Sequence, residues 1–327
     1  MCKRNAIDAK NEIAYQKYID KYPSILENYE LSMYHKTSYT RKSYLRHVAY
    51  FLDYAVIRLG TEITDGHELE NIKPIDIERY MEKTRYKENG EEKSATYRIT
   101  QLAAIDGLFK YLVKNNLVTT NPCLCVDRPK DNKEHEVVVM NTDDIDEMIY
   151  NIRHGINTYQ YTTAQKKWKK RDELILVLGI TTGLRIGAIV GIDIEDINFE
   201  ENYIRVNEKG NIDRKVYIGK KTMKLIFDWI RDRKELTQNT TGPLFICNGN
   251  KRMTVRTMEN IIKNVSGGKF TPHKMRATCA TRLYEATGDI YRVQQQLGHK
   301  SIKNTERYAK VSEQKKIESA NILDSMF

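Results

Sequence analysis

HKMRATCATRLYEATGDIYRVQQQLGHKSIKNTERYAK, His273 to Lys310, holds two helix starts, a clear helix stop and a concentration of residues able to do chemistry. Just before it, Thr271 suits an N-cap and Pro272 the first helical position, so a helix begins there. His273 and Arg276 lie three apart and share one face of its first turn. Unsatisfied backbone N–H groups and the helix dipole make that end attractive to an anion such as phosphate. Asp289 caps a second, shorter helix whose Ile290, Val293 and Leu297 point inward, and Gly298 ends it. His299 then leaves on the loop side, and Tyr308 follows nine residues later among Lys and Arg. From Thr271 to Lys316 there are ten Lys/Arg against four Asp/Glu, a net of +6.

The whole chain shares that excess, with a net charge of +10 and a pI near 9.1, which invites a polyanionic partner. Its 327 residues exceed what one core usually supports, so two domains are expected. With 40% hydrophobic and 30% charged residues, the composition is that of a globular protein. The longest apolar run, Leu174 to Ile180, is too short to cross a bilayer. MCKRNAIDAK at the N-terminus lacks the apolar stretch of a signal peptide. A cytosolic, nucleoid-associated protein with no membrane partner is therefore expected. Cys2, Cys123, Cys125, Cys247 and Cys279 are odd in number and fit no disulfide framework. Cys123-Leu-Cys125 has no second pair at zinc spacing, so no metal site is expected.

Outward from the opening stretch, the first third reads as helices. Ser38 to Gly60 carries Leu45, Val48, Phe51, Leu52, Ala55 and Leu59 at three- and four-residue spacing. A second helix follows Lys73-Pro74 through Tyr80 and Met81. A third starts behind Ser94, shows Ile99, Leu102, Ile105, Phe109 and Leu112 on one face, and ends near Asn115-Asn116. DRPKDNKEHE, Asp127 to Glu136, is polar and proline-interrupted, and marks a linker. Helices at Thr142 to Arg153 and Arg171 to Ile180 come next. Tyr203 to Val206 and Arg214 to Ile218 then flank the turn-rich NEKGNID, a β-hairpin pattern. The fold class is mainly α with a small β-hairpin, an α+β second domain behind a helical first one.

His273-x-x-Arg276, Leu297-Gly298-His299 and Tyr308 together resemble the second conserved box of the tyrosine recombinase (phage integrase) family. TTGLRIGAIVGI resembles the first box, with Arg185 as its leading arginine, and YIRVNEKGNIDRKVYI resembles the family's β-hairpin, with Lys209 at the place of a catalytic lysine. The resemblance implies a site-specific recombinase that integrates, excises or resolves DNA through a 3′-phosphotyrosyl link at Tyr308, with no cofactor, neither ATP nor metal. It implies a two-domain DNA clamp: an N-terminal helical extension at 1–36, a core-binding domain at 37–126, a linker at 127–136, a catalytic domain at 137–311 and a tail helix at 312–327 docking in trans. Its partners are double-stranded DNA with paired recombination sites and a homotetramer on that DNA, with room for accessory DNA-bending or directionality proteins.

The chemistry is coherent from below. Attack of a phenol on a phosphodiester adds negative charge to phosphorus oxygens, which Arg185 and Arg276 can clamp through planar forks. A phenol with a pKa near 10 needs a base or a cationic neighbourhood, and His273 is the candidate base. Lys209 suits the acid that protonates the departing 5′-oxygen, and His299 a hydrogen bond to a non-bridging oxygen. One departure stands out: the family's acidic residue three places after the first arginine is here Ala188, so bracing falls to Asp193 or Glu195. Arg85, Lys87, Tyr97 and Arg98 are candidate DNA contacts. Two other readings are open, a type IB topoisomerase-like enzyme and a non-catalytic helix-turn-helix in which Lys300, Lys303 and Arg307 face phosphates.

Overall fold

Apolar stripes in the first third become the buried faces of packed helices. The computed structural model describes residues 3–129, 137–156, 162–208 and 212–308, with positions 321 and 324. The chain divides into two compact units, Met1–Glu134 and His135–Phe327. The first contains α1 (Lys3–Ile19), α2 (Pro23–Ser32), α3 (Ser38–Leu59), α4 (Pro74–Lys83) and α5 (Ala95–Lys114). The Thr37 hydroxyl accepts the Thr40 N–H to start α3, and Gly60 at φ 66° ends it. Ser94 caps α5 in the same way, through the Tyr97 N–H.

Leu45, Val48, Phe51, Leu52 and Ala55 of α3 pack with Leu102, Ile105, Phe109 and Leu112 of α5 in one buried core. Ile99, expected on the same face, is 39% exposed, because the buried part of α5 begins at Gln101. The segment before Thr37 joins this core through Tyr15, Ile19, Ile25, Leu26 and Tyr29. It is thus part of the same body.

The second unit contains α6 (Thr142–His154), α7 (Thr162–Thr182), α8 (Ile186–Gly191), β1 (Ile197–Asn198), β2 (Tyr203–Glu208), β3 (Ile212–Tyr217), α9 (Lys220–Thr237), α10 (Val255–Val265), α11 (Pro272–Thr287), α12 (Ile290–Leu297) and α13 (Lys303–Glu306). The helix expected at Arg171 to Ile180 begins earlier, since its apolar pattern marks only the stretch buried at Leu174, Ile175, Leu176 and Leu178. The antiparallel sheet has the order β1-β2-β3, with Ile204 opposite Val216 and Val206 opposite Arg214. β1 is too short to leave a sequence signal. The turn that holds Lys209 lies outside the described residues. The protein is mainly helical with one small sheet, and among the described residues no helix is long and apolar enough to cross a membrane.

One buried titratable group in the first unit sets a measurable acid limit. His47 of α3 packs its ring edge to face with Tyr97, centroids 4.9 Å apart, and among the described residues its Nδ1 has no hydrogen-bond partner. Burial, helped by the charges of Arg46 and Lys93, pushes its pKa down to about 4 from 6.5. The folded protein holds this ring neutral while the unfolded chain protonates it, so stability is complete above 6.5 and falls as pH drops toward 4. Urea unfolding at pH 7 and pH 5 should therefore show a loss about 2 kcal/mol larger in the wild type than in His47→Asn. Equal losses in the two proteins would contradict it.

Candidate active site

The site is assembled at the ends of short helices in the second unit. α11 begins at Pro272 with Thr271 extended at the N-cap, although the Thr271 hydroxyl makes no capping bond, so proline and backbone geometry set this start. His273 is exposed on the first turn, and Arg276 is 5% exposed one turn on. The Arg276 guanidinium donates through Nη1 to the Gly183 carbonyl at 2.6 Å and through Nη2 to the Leu297 carbonyl at 2.7 Å. Gly183 follows α7 at φ 64°, and a Cβ there would stand 2.6 Å from Leu297 Cδ2 and 3.1 Å from Cys279 Sγ. Only glycine presents its carbonyl to Arg276 from that backbone. Two residues on, Arg185 takes the N-cap position of α8 and projects its exposed side chain to the same side.

α12 starts as expected, Asp289 accepting the Arg292 N–H, and ends at Gly298 with φ 65°. Val293 and Leu297 are fully buried, while Ile290 is half-buried. A helix end leaves carbonyls without intrahelical partners. Here Leu297 gives its oxygen to Arg276, while Gln295 and Gln296 accept from Arg214 of β3 at 3.4 and 3.2 Å. The same helix end thereby orients the arginine and anchors the hairpin.

His299 comes off Gly298 with Nδ1 2.8 Å from the Thr305 hydroxyl. Thr305 is fully buried, and its carbonyl accepts the Tyr308 N–H at 2.9 Å. One residue thus sets both the imidazole and the backbone that carries the phenol. Tyr308 is 6% exposed, its ring seated among Ala277, Ala280, Val293 and Leu297, and its Oη accepts from Arg307 Nη2 at 2.8 Å. The His299 and Tyr308 rings are nearly parallel, centroids 6.4 Å apart.

Arg185, His273, Arg276, His299 and Tyr308 all line one cavity of about 600 Å³, together with Lys274, Lys303 and Arg307. None of the described residues lining it is a carboxylate. Phosphate is an apt occupant of so cationic a space. Sequence reasoning passed over Thr305 and Lys274, and placed Lys303 and Arg307 only in the helix-turn-helix reading. A hydroxyl three residues before the tyrosine was the available signal for Thr305. At Ala188 no carboxylate faces outward; Asp193 pairs with Arg252, and both Glu195 oxygens accept the Gly242 N–H at 3.0 Å.

The candidate DNA contacts lie in the other unit. Arg85 and Arg98 each pair with Glu92 at 3.0 Å, and Lys87 pairs with Glu91 at 2.7 Å, holding the Glu91 carboxyl below its usual range. Tyr97 helps to line a smaller cavity of about 280 Å³, with Lys93 over its ring at 5.2 Å.

Comparison with known proteins places this geometry in a class. Residues 139–315 match the model of the Phage integrase family. The tyrosine recombinase XerC of Caldanaerobacter subterraneus subsp. tengcongensis is 25% identical over 333 residues, covering 95% of this chain and 90% of its own length. XerC of Corynebacterium glutamicum is 34% identical over 155 residues, 46% of this chain and 50% of its own. In fold, the crystal structure of the XerH site-specific recombinase bound to palindromic difH substrate is similar with a TM-score of 0.71 at 19% identity, covering 97% of this chain and 89% of that one. The class is that of the tyrosine site-specific recombinases. The chain belongs to the phage integrase family.

The Thr305 hydroxyl offers a direct test of the site's internal wiring. In the tautomer of neutral His299 that donates from Nε2, Nδ1 is an acceptor, and the Thr305 O–H bonded to it favours that tautomer. Thr305→Val keeps the buried shape and removes that donor. DNA affinity should hold within about threefold, while single-turnover strand cleavage falls roughly tenfold, the equivalent of one hydrogen bond. Unchanged cleavage would show that His299 needs no partner at Nδ1.

Proposed function

We propose that this chain is a site-specific DNA recombinase that cuts and rejoins duplex strands through a 3′-phosphotyrosyl bond at Tyr308. The observation that carries it is the single cationic cavity onto which Arg185, His273, Arg276, His299 and the phenol of Tyr308 all open. A scissile phosphate in this cavity meets Arg185 and Arg276 at its non-bridging oxygens, where charge grows as the fifth bond to phosphorus forms. His299 adds a hydrogen bond to the same oxygens. His273 takes the phenol proton, the Tyr308 oxygen attacks, and Lys209 supplies a proton to the departing 5′-oxygen. Phosphate moves from one oxygen to another with its ester count unchanged, so the link can be reversed by an incoming 5′-hydroxyl.

The first unit serves as the core-binding body on the same duplex, with Arg85, Lys87, Tyr97 and Arg98 released from their present partners to meet it. Recombination between paired sites calls for four protomers, in keeping with the lambda integrase tetramer bound to a Holliday junction among the similar structures. The setting is a mobile element or a resolution system inside the cytoplasm, with room for accessory DNA-bending or directionality proteins.

A nicked suicide duplex, which loses a short strand after cleavage and traps the adduct, tests the central step. Wild type should become covalently attached to DNA, and Tyr308→Phe should bind the same duplex with no adduct at all. An adduct in the Phe protein would end the assignment. Removing residues after Val311 should abolish recombination and spare binding if the tail docks on a neighbouring protomer; surviving recombination would place it on its own domain.

A further inference from the structure

Beyond the groups assigned above, the residue that touches the reacting oxygen is Arg307. Its Nη2 lies 2.8 Å from Tyr308 Oη, and its guanidinium carbon stands 4.9 Å from the centre of the Tyr308 ring. Among the described residues Oη has no other hydrogen-bond partner, and Arg307 makes no ion pair with a carboxylate. The nucleophile at rest therefore faces a cation whose charge is not neutralised by an acid. We propose that Arg307 is a catalytic residue, the cation that stabilises the Tyr308 phenolate as its proton departs. The proposal rests on the recombinase reading of the same site.

The physical case has three parts. A hydrogen bond from a guanidinium to a neutral phenol oxygen is modest, but the same contact to a phenolate is charge-assisted and about twice as strong. That is a difference between ground state and transition state, which is what accelerates a step. The ring body of Tyr308 is sealed among apolar side chains, so water is a poor substitute at that edge. Lastly, Arg307 and Tyr308 are consecutive, so the cation accompanies the phenol wherever the segment carries it, toward its own cavity or a neighbour's.

The balance of the step is simple. The Oη–H bond breaks and the proton passes to the His273 imidazole. The Oη–P bond forms, the P–O5′ bond breaks, and the 5′-oxygen takes the proton assigned to Lys209. Arg307 stays protonated throughout.

The test uses the full chain and the nicked suicide duplex, carrying a half-site selected from random DNA. Arg307→Gln should bind that duplex within about threefold of wild type and cleave it roughly 10- to 100-fold more slowly. Arg307→Lys, which keeps a point charge, should recover most of the rate. The decisive arm places a fluorinated tyrosine, whose phenol is several units more acidic, at position 308. With that nucleophile the Arg307→Gln deficit should shrink to about threefold or less, because a ready phenolate needs less help. A deficit of the same size with both nucleophiles, or one that follows DNA affinity, overturns the proposal and leaves Arg307 as a structural or phosphate contact. If wild type forms no adduct, the recombinase reading itself fails and takes this proposal with it. An active wild type with an equally active Arg307→Gln overturns this proposal alone.

Discussion

A buried guanidinium held by two carbonyls is the constraint from which the site's arrangement follows. Arg276 is nearly enclosed, and a charged group in that position must be hydrogen-bonded or it destabilises the fold. Its partners are the carbonyls of Gly183 and Leu297, one just past α7 and the other at the last residue of α12. Both are oxygens at the negative ends of helices, so they attract a cation twice over, through the bond and through the dipole. This also gives the Ala188 departure a physical sense. A carboxylate brace would orient an arginine and cancel its charge, whereas a carbonyl orients it without adding a full negative charge.

The consequence is a cavity with cations on several sides and no acid among its described lining residues. Without a ligand, such groups repel each other, and the fold tolerates this because most of their charged ends reach solvent. Arg185 and Arg307 are exposed, and the buried Arg276 donates to two carbonyls. On the proposed function, an arriving phosphodiester would reduce that repulsion and supply negative charge, so that binding and organisation of the pocket would be one event. Affinity of this kind falls steeply with salt.

How legible this was from the sequence differs by kind of interaction. Helix starts and stops at Ser94, Asp289, Gly60 and Gly298 could be read because capping is local chemistry. The hairpin could be read to within two residues at either strand end, since alternating apolar residues bracket a glycine turn. The start of α7 could not, because Thr162 to Lys170 carries no apolar periodicity in the sequence. Counting only positive residues hid the partners of Lys87, Arg85 and Arg98. Glu91 stands four places after Lys87, a spacing that itself signals an ion pair, and Glu92 serves both arginines. Thr305 was passed over for a different reason, and Arg307 was read only as a phosphate contact: their contacts to His299 and Tyr308 arise in a short turn whose path no propensity specifies.

That short turn bears on how a nearly buried tyrosine could act as the nucleophile proposed for it. Tyr308 does not belong to the main core of its unit, which is built around residues such as Trp229 and Phe245. It sits in a separate small cluster of Ala277, Ala280, Val293 and Leu297, tethered by the Thr305 carbonyl and by Arg307. Few apolar contacts and few backbone bonds mean a low free energy of local opening. The Arg276 clamp is tied instead to α7, α11 and α12, elements packed into the rest of the unit. In the proposed mechanism the Arg276 clamp stays with α7, α11 and α12, while the phenol, on the turn after α13, would advance without disturbing the groups that meet the charge it creates.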